Sequence, residues 1–261
     1  MPTLPSDPDL LDRLLVDVGR EALKHARELL RAARLILDAK IWSVAYANAA
    51  LALEEVGKAA LCTSILPMPD YVRQAEVDAF PKRFASHEAK SFLGFLVVRM
   101  VEDSATADWM EIYKRADRDA RRTNKNKFRG LYVDYKHTGH LLKPADVTEA
   151  QAADLIATVD RALELSLDTE DALENIDLFT PLIRMFRTAH GGAGALAEDD
   201  TLTLLPTLMA IARGEVDAEE ALEGTALAAL VHEFADSVAA KLTPEQVAAI
   251  AAQYGDETPA P

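Results

Sequence analysis

Ala50-Leu-Ala-Leu-Glu-Glu-Val-Gly-Lys-Ala-Ala-Leu61 decides how this chain is read, because three charges interrupt a helix that is otherwise apolar on every side. A seam runs along it at Trp42, Tyr46, Ala49, Leu53, Val56 and Ala60, and Val44, Leu51, Cys62 and Ile65 cover the opposite face. The spacing predicts a helix over 41–66 that Pro67 and Pro69 stop, and that lies at the centre of a bundle. Glu54 and Lys58 are four apart with the acid first, the favourable order for an ion pair along one helix. In a central helix Glu54, Glu55 and Lys58 cannot all be solvated. An unpaired buried charge costs several kcal/mol, so the three are expected to pair with one another or with groups from neighbouring helices; at the bundle's edge they would be a surface pair.

Working outward, Leu11, Leu15, Val18, Ala22, His25, Leu29, Ala32 and Ile36 follow alternating steps of four and three, which predicts a first helix from about Pro8 to Ala39 with Asp7 as its cap. On this seam His25 is a hydrogen-bonded core histidine. A third helix is expected from about Pro81 to Asp103 and a fourth from about Ala107 to Lys127. Residues 130–140 read as an ordered loop. Thr148 with Gln151 makes a capping box for a helix running to about Asn175. Shorter acidic helical segments follow near 178–190, 200–213, 217–240 and 244–254, and the last seven residues are expected to be disordered. No alternating apolar pattern exceeds four residues. The expected class is therefore all-α: an up-and-down bundle over residues 1–175, an acidic helical extension over 176–254 and a tail over 255–261.

Charge is unevenly divided. Residues 1–150 hold 23 Lys and Arg against 22 Asp and Glu, and the remainder holds 5 against 21, giving +1 and −16. Between Lys114 and Arg129 eight basic residues face only Asp117 and Asp119, which makes this helix the candidate phosphate-binding surface, through Arg118, Arg121, Arg122, Lys125, Lys127 and Arg129. The plainer reading is a solvated helix face. The acidic segment would compete with RNA for that surface, or serve solubility or dimerisation. One cysteine excludes a disulfide framework and a cysteine-based zinc site. The longest apolar run, Ile41 to Leu53, has 13 residues and the first twelve carry no basic leader, so a cytoplasmic protein without a membrane segment is expected. There is no phosphate loop and no nucleophile elbow, and His137 with His140 is a weak metal pair. No metal and no cofactor are expected.

Two further segments carry polar residues in suggestive places. In Phe84-Ala-Ser-His-Glu-Ala-Lys90, His87 and Lys90 share a helix face, with Glu54 or Glu55 as a partner acid. In Lys127-Phe-Arg-Gly-Leu-Tyr-Val-Asp134, Tyr132 and Asp134 point the same way in an extended loop.

Together these segments resemble the AbiV-type abortive-infection family, helical proteins similar to the HEPN superfamily. The matching residues are Ser43, Tyr46 and Ala50 ahead of Leu-Glu-Glu-Val-Gly-Lys at 53–58, the spacing of Phe84, His87 and Lys90, and the stretch from Lys127 to Asp134. The likeness covers roughly residues 15–170. It implies a HEPN-like bundle, a bacterial host and a role in arresting the phage-infected cell; many HEPN relatives are metal-independent ribonucleases that act as dimers. The superfamily's nuclease signature, an Arg followed after four to six residues by a His, occurs as Arg20 to His25 and Arg184 to His190, spacings common by chance among 17 arginines and six histidines.

Two functions follow as expectations. In the first the chain acts on RNA or on translation as a metal-independent endoribonuclease: His87 is the base for a 2′-hydroxyl, Lys58 or Lys90 stabilises charge on phosphate, Glu54 or Glu55 orients them, and Tyr132 and Asp134 complete the site. In the second it is a non-catalytic protein that binds a phage protein or the translation machinery, and the Glu-Lys-His cluster is structural. A homodimer is expected in either case.

Overall fold

The computed structural model describes residues 4–68, 70–103, 108–132, 134–135 and 141–177, together with Thr180, Ile183 and Arg187. The chain divides into two units, residues 1–68 with 72–176 and residues 69–71 with 177–261, and the site described below lies within the first. Seven α-helices occur among the described residues: α1 (Pro8–Asp38), α2 (Trp42–Ile65), α3 (Asp70–Ala85), α4 (His87–Glu102), α5 (Trp109–Leu131), α6 (Glu149–Glu164) and α7 (Leu167–Glu174). A two-residue antiparallel pairing of β1 (Asp134–Tyr135) with β2 (Leu141–Leu142) is the described remainder of the loop after α5. The class is all-α. The acidic segments expected beyond residue 178, the pair His137 and His140, and the second Arg-to-His spacing ending at His190 lie outside the described residues.

α2 is the central element, as its all-round apolar composition requires, and it packs against α1, α4, α5 and α6. Its crossing with α4 is unusually close. A Cβ on Gly57 would lie 1.8 Å from the Lys90 carbonyl oxygen, and one on Gly94 would lie 2.6 Å from the Leu53 carbonyl oxygen, so at both points backbone meets backbone. Gly130 lets the end of α5 approach the start of α2 in the same way, 2.7 Å from the Ser43 carbonyl oxygen.

The ends of α1 and α6 follow their caps. Asp7 accepts from the backbone N–H groups of Asp9 and Leu10, and Thr148 and Gln151 bond each other's backbone N–H groups at 3.3 and 3.0 Å.

Three expectations are corrected. The buried seam of α1 is Leu11, Leu15, Gly19, Ala22, Ala26, Leu30 and Ala33, not the heptad series, so His25 points outward with its side chain 55% exposed. A straight helix at 3.6 residues per turn drifts about 20° from a heptad seam every seven residues, and the drift moves burial one residue on, from Val18 to Gly19, His25 to Ala26, Leu29 to Leu30 and Ala32 to Ala33. The helix expected from Pro81 begins instead at His87, because the Ser86 side chain accepts from the Ala89 N–H and caps α4, while Pro81 lies inside α3. The helix after Thr148 ends at Glu164. There Ser166 is buried with its hydroxyl turned back onto the Ala162 carbonyl at 2.7 Å, and α7 starts afresh.

Candidate functional site around Glu54

The close crossing of α2 and α4 sets the first turn of α4 over Glu54, which is buried in the middle of α2. Three cationic or titratable side chains from two other helices converge on its carboxylate. His87 Nδ1 lies 2.6 Å from Oε2, Lys127 Nζ donates to Oε1 at 2.5 Å, and Lys90 Nζ stands 3.9 Å from Oε2. An ionised carboxylate only accepts, so Nδ1 is the donor and Nε2 is left as the free ring nitrogen. Lys127 is 2% exposed and Lys90 7%, whereas the His87 side chain is 48% exposed. The arrangement is a buried anion with two buried cations behind it and an imidazole at its open edge. Burial holds the Lys90 ammonium below the ordinary lysine range; Glu54 opposes that shift, Lys58 adds to it, and the smaller effects of Glu55 and Lys127 again oppose each other.

The imidazole is framed by an aromatic ring. Phe128 meets His87 edge to face at 6.1 Å between centroids, and Lys127 Nζ lies 4.8 Å from the centre of the same ring. Phe128 is itself exposed.

Glu54 and Lys58 do not pair along the helix as their spacing predicts. Lys58 turns to Glu55, three residues back, at 2.5 Å, because the Glu54 carboxylate already holds Lys127 and His87. Glu55 and Lys58 line a separate groove of about 430 Å³ with His25 and Phe84; His25 Nδ1 is 3.9 Å from Glu55, and Lys58 Nζ lies 5.6 Å from the centre of the Phe84 ring. Tyr132 is exposed at the extended end of α5, and Asp134 lies in β1 with its side chain outside the described residues.

The basic helix splits by burial. Ile112, Ala116, Asp119, Ala120, Thr123, Lys127 and Gly130 form its inner face, so Lys127, expected on the phosphate-binding surface, belongs to the Glu54 cluster instead. Arg118, Arg121, Arg122 and Lys125 face solvent, and Arg129 is half-buried. Arg121 lies 3.2 Å from Glu88 and 3.0 Å from Asp117, which ties the outer face of α5 to the residue beside His87. Arg122 and Arg99 both hold Asp119, at 3.2 and 2.8 Å. Neither Arg99 nor Asp119 stood out in the sequence. The signal for Asp119 was present, an acid in register with the apolar seam of α5.

Burial pushes the Cys62 thiol up to about 12, with nearby Lys58 opposing, so it is no nucleophile. Among the described residues no helix is long and apolar enough to cross a membrane.

Comparison with curated proteins and with solved structures gives no match. The model of the AbiV family of HEPN proteins matches residues 14–164, a span that takes in Glu54, His87, Lys90, Lys127 and the basic face of α5. Because that match covers more than half of the 261 residues, the chain belongs to the AbiV family of HEPN proteins, and its general role is abortive-infection defence.

Proposed function

We propose that the chain is an RNA-directed defence effector whose His87 is a general base for strand cleavage. The observation that carries this reading is the His87–Glu54 pair: a buried carboxylate fixes one ring nitrogen of a half-exposed imidazole beside an exposed basic helix. With Nδ1 held by Glu54, Nε2 takes the proton of an RNA 2′-hydroxyl. The 2′-oxygen attacks the adjacent phosphorus and the bond to the 5′-oxygen breaks, leaving a 2′,3′-cyclic phosphate and a 5′-oxygen that takes a proton from water. Arg121, which reaches Glu88 beside His87, takes the phosphate charge in this reading. Glu54 orients the imidazole and is itself held by Lys127, with Lys90 beside it. Lys58, tied to Glu55, belongs to the neighbouring groove.

Total RNA and transfer RNA incubated with the purified protein in chelator should be cut, and His87→Ala should slow cutting by at least about 100-fold with the melting temperature kept. Restriction of phage by a wild-type protein that leaves every RNA intact would remove this reading.

A second reading has its own support. A carboxylate and an ammonium that are each about 2% exposed are the pattern of a structural lock between α2 and α5, and a chain built around such a lock would act by binding a phage protein or the translation machinery. His87→Gln separates the two. Lost restriction at unchanged stability favours the base; lost stability in both His87→Gln and Glu54→Gln, with no RNA product, favours the lock.

A further inference from the structure

The Glu54 cluster leaves a second recess unused. Between α2, α4, α5 and α6 the helices enclose a cleft of about 150 Å³, none of whose lining residues belongs to that cluster. Sites for drug-sized ligands run to about 300–1,000 Å³, so this one admits a single small heterocycle. Tyr46 and Phe95, both buried, supply ring surface on its floor. Thr123 and Asn126 from α5 and Asp154 from α6 supply polar atoms around it. Among the described residues, the Tyr46 and Thr123 hydroxyls and the Asn126 amide are taken up by no other side chain, and Asp154 carries no ion pair.

The lining also selects the occupant. Of the two acids in the wall, Asp119 is held by Arg99 and Arg122, which line the same cleft, so Asp154, exposed and without an ion pair, is the carboxylate left to accept from an occupant. Arg122 belongs both to this wall and to the exposed face of α5, which places phosphates outside and whatever they are attached to within. A carboxylate accepts only, while an amide and two hydroxyls both donate and accept. This set suits a base edge with an exocyclic amino group beside a ring acceptor, as in cytosine; uracil would turn a carbonyl oxygen toward the carboxylate. We infer that the cleft receives one unstacked, amino-bearing nucleobase of an RNA strand whose phosphates follow the outer face of α5. The inference rests on the reading of the protein as RNA-directed and names where its substrate is gripped.

Phosphate-free nucleosides test the cleft apart from the basic face. In nuclear magnetic resonance titrations of the full-length protein, cytidine should bind more tightly than uridine, and inorganic phosphate should not displace it. Tyr46→Phe and Thr123→Val, both close to isosteric, should each weaken cytidine binding about three- to tenfold, the loss of one hydrogen bond, with the melting temperature kept. Asp154→Asn should bring cytidine and uridine to parity. The inference is overturned if no nucleoside binds at millimolar concentration, if uridine binds as well as cytidine, if phosphate competes, or if the Tyr46 and Thr123 variants bind like wild type. The readout needs no cleavage: cytidine binding by a protein that cuts no RNA removes the ribonuclease reading alone, and cutting without nucleoside binding removes the cleft alone.

Discussion

Glu54 concentrates the electrostatics of this protein in one side chain. It neutralises Lys127, partly offsets the burial of Lys90, and fixes His87, so its removal leaves cations in a place water does not reach. Breaking a buried pair by deleting one partner costs about 3–5 kcal/mol, and Glu54→Ala should lose that much in denaturant unfolding, with Glu54→Gln losing less because the amide oxygen still accepts a hydrogen bond. Lys90 gives the cluster a pH dependence. Its pKa is lowered in the folded state, so between that value and the ordinary lysine value of about 10.4 the unfolded chain holds a proton the folded chain lacks. Stability from this group therefore rises with pH through that window. Lys90→Met should flatten the rise, measured as the unfolding midpoint against pH; a variant whose alkaline slope matches wild type would show that the burial of Lys90 carries no energetic weight.

At the scale of elements, the glycines of α2 and α4 set the distance on which the site depends. The Gly57-Lys90 and Gly94-Leu53 approaches are backbone against backbone, and neither side can swing away. Gly57→Ala must separate the helices, which should cost about 3 kcal/mol or more and draw His87 off Glu54. Gly19→Ala is the contrast. Its Cβ would meet the tip of the buried Leu173 side chain at 3.2 Å, an overlap that a shift of a few tenths of an ångström relieves and that the roughly 1 kcal/mol advantage of alanine over glycine inside a helix offsets, so its cost should stay within about 1 kcal/mol. Thermal melts of the two variants side by side check this, and equal losses would contradict the close crossing as the reason for glycine at 57. The same scale explains the shifted helix starts. Ser86 and Ser166 are single hydroxyls that restart or break helices whose apolar patterns run on past them, and an apolar pattern alone does not register a hydroxyl that bonds its own backbone.

Across the whole molecule, in a chain of net charge −15, the outer face of α5 presents five exposed cations, Lys114, Arg118, Arg121, Arg122 and Lys125, at helical spacing. If a single-stranded RNA follows this face, the logarithm of its affinity should fall against the logarithm of salt concentration with a slope of about −0.7 per phosphate neutralised, and Lys125→Gln should reduce that slope by about 0.7. An unchanged slope would place the strand elsewhere. The sequence by itself determined the all-α class, the central helix, the caps at Asp7 and Thr148, and the family, because apolar periodicity, capping chemistry and the residues from 53 to 58, 84 to 90 and 127 to 134 are local and need no partner to be read. Glu54, His87, Lys90 and Lys127, which the structure brings together, all drew notice in the sequence, Lys127 as part of another surface. Only the tertiary structure decided which of them meet. Lys127 and Asp119 look like members of one charged stripe until burial turns them inward, and Lys58 looks like the partner of Glu54 until two other helices supply better ones. Pairing among charges depends on which faces are closed to water, and that is fixed by how helices cross, at contacts such as Gly57 on Lys90 between residues 33 positions apart.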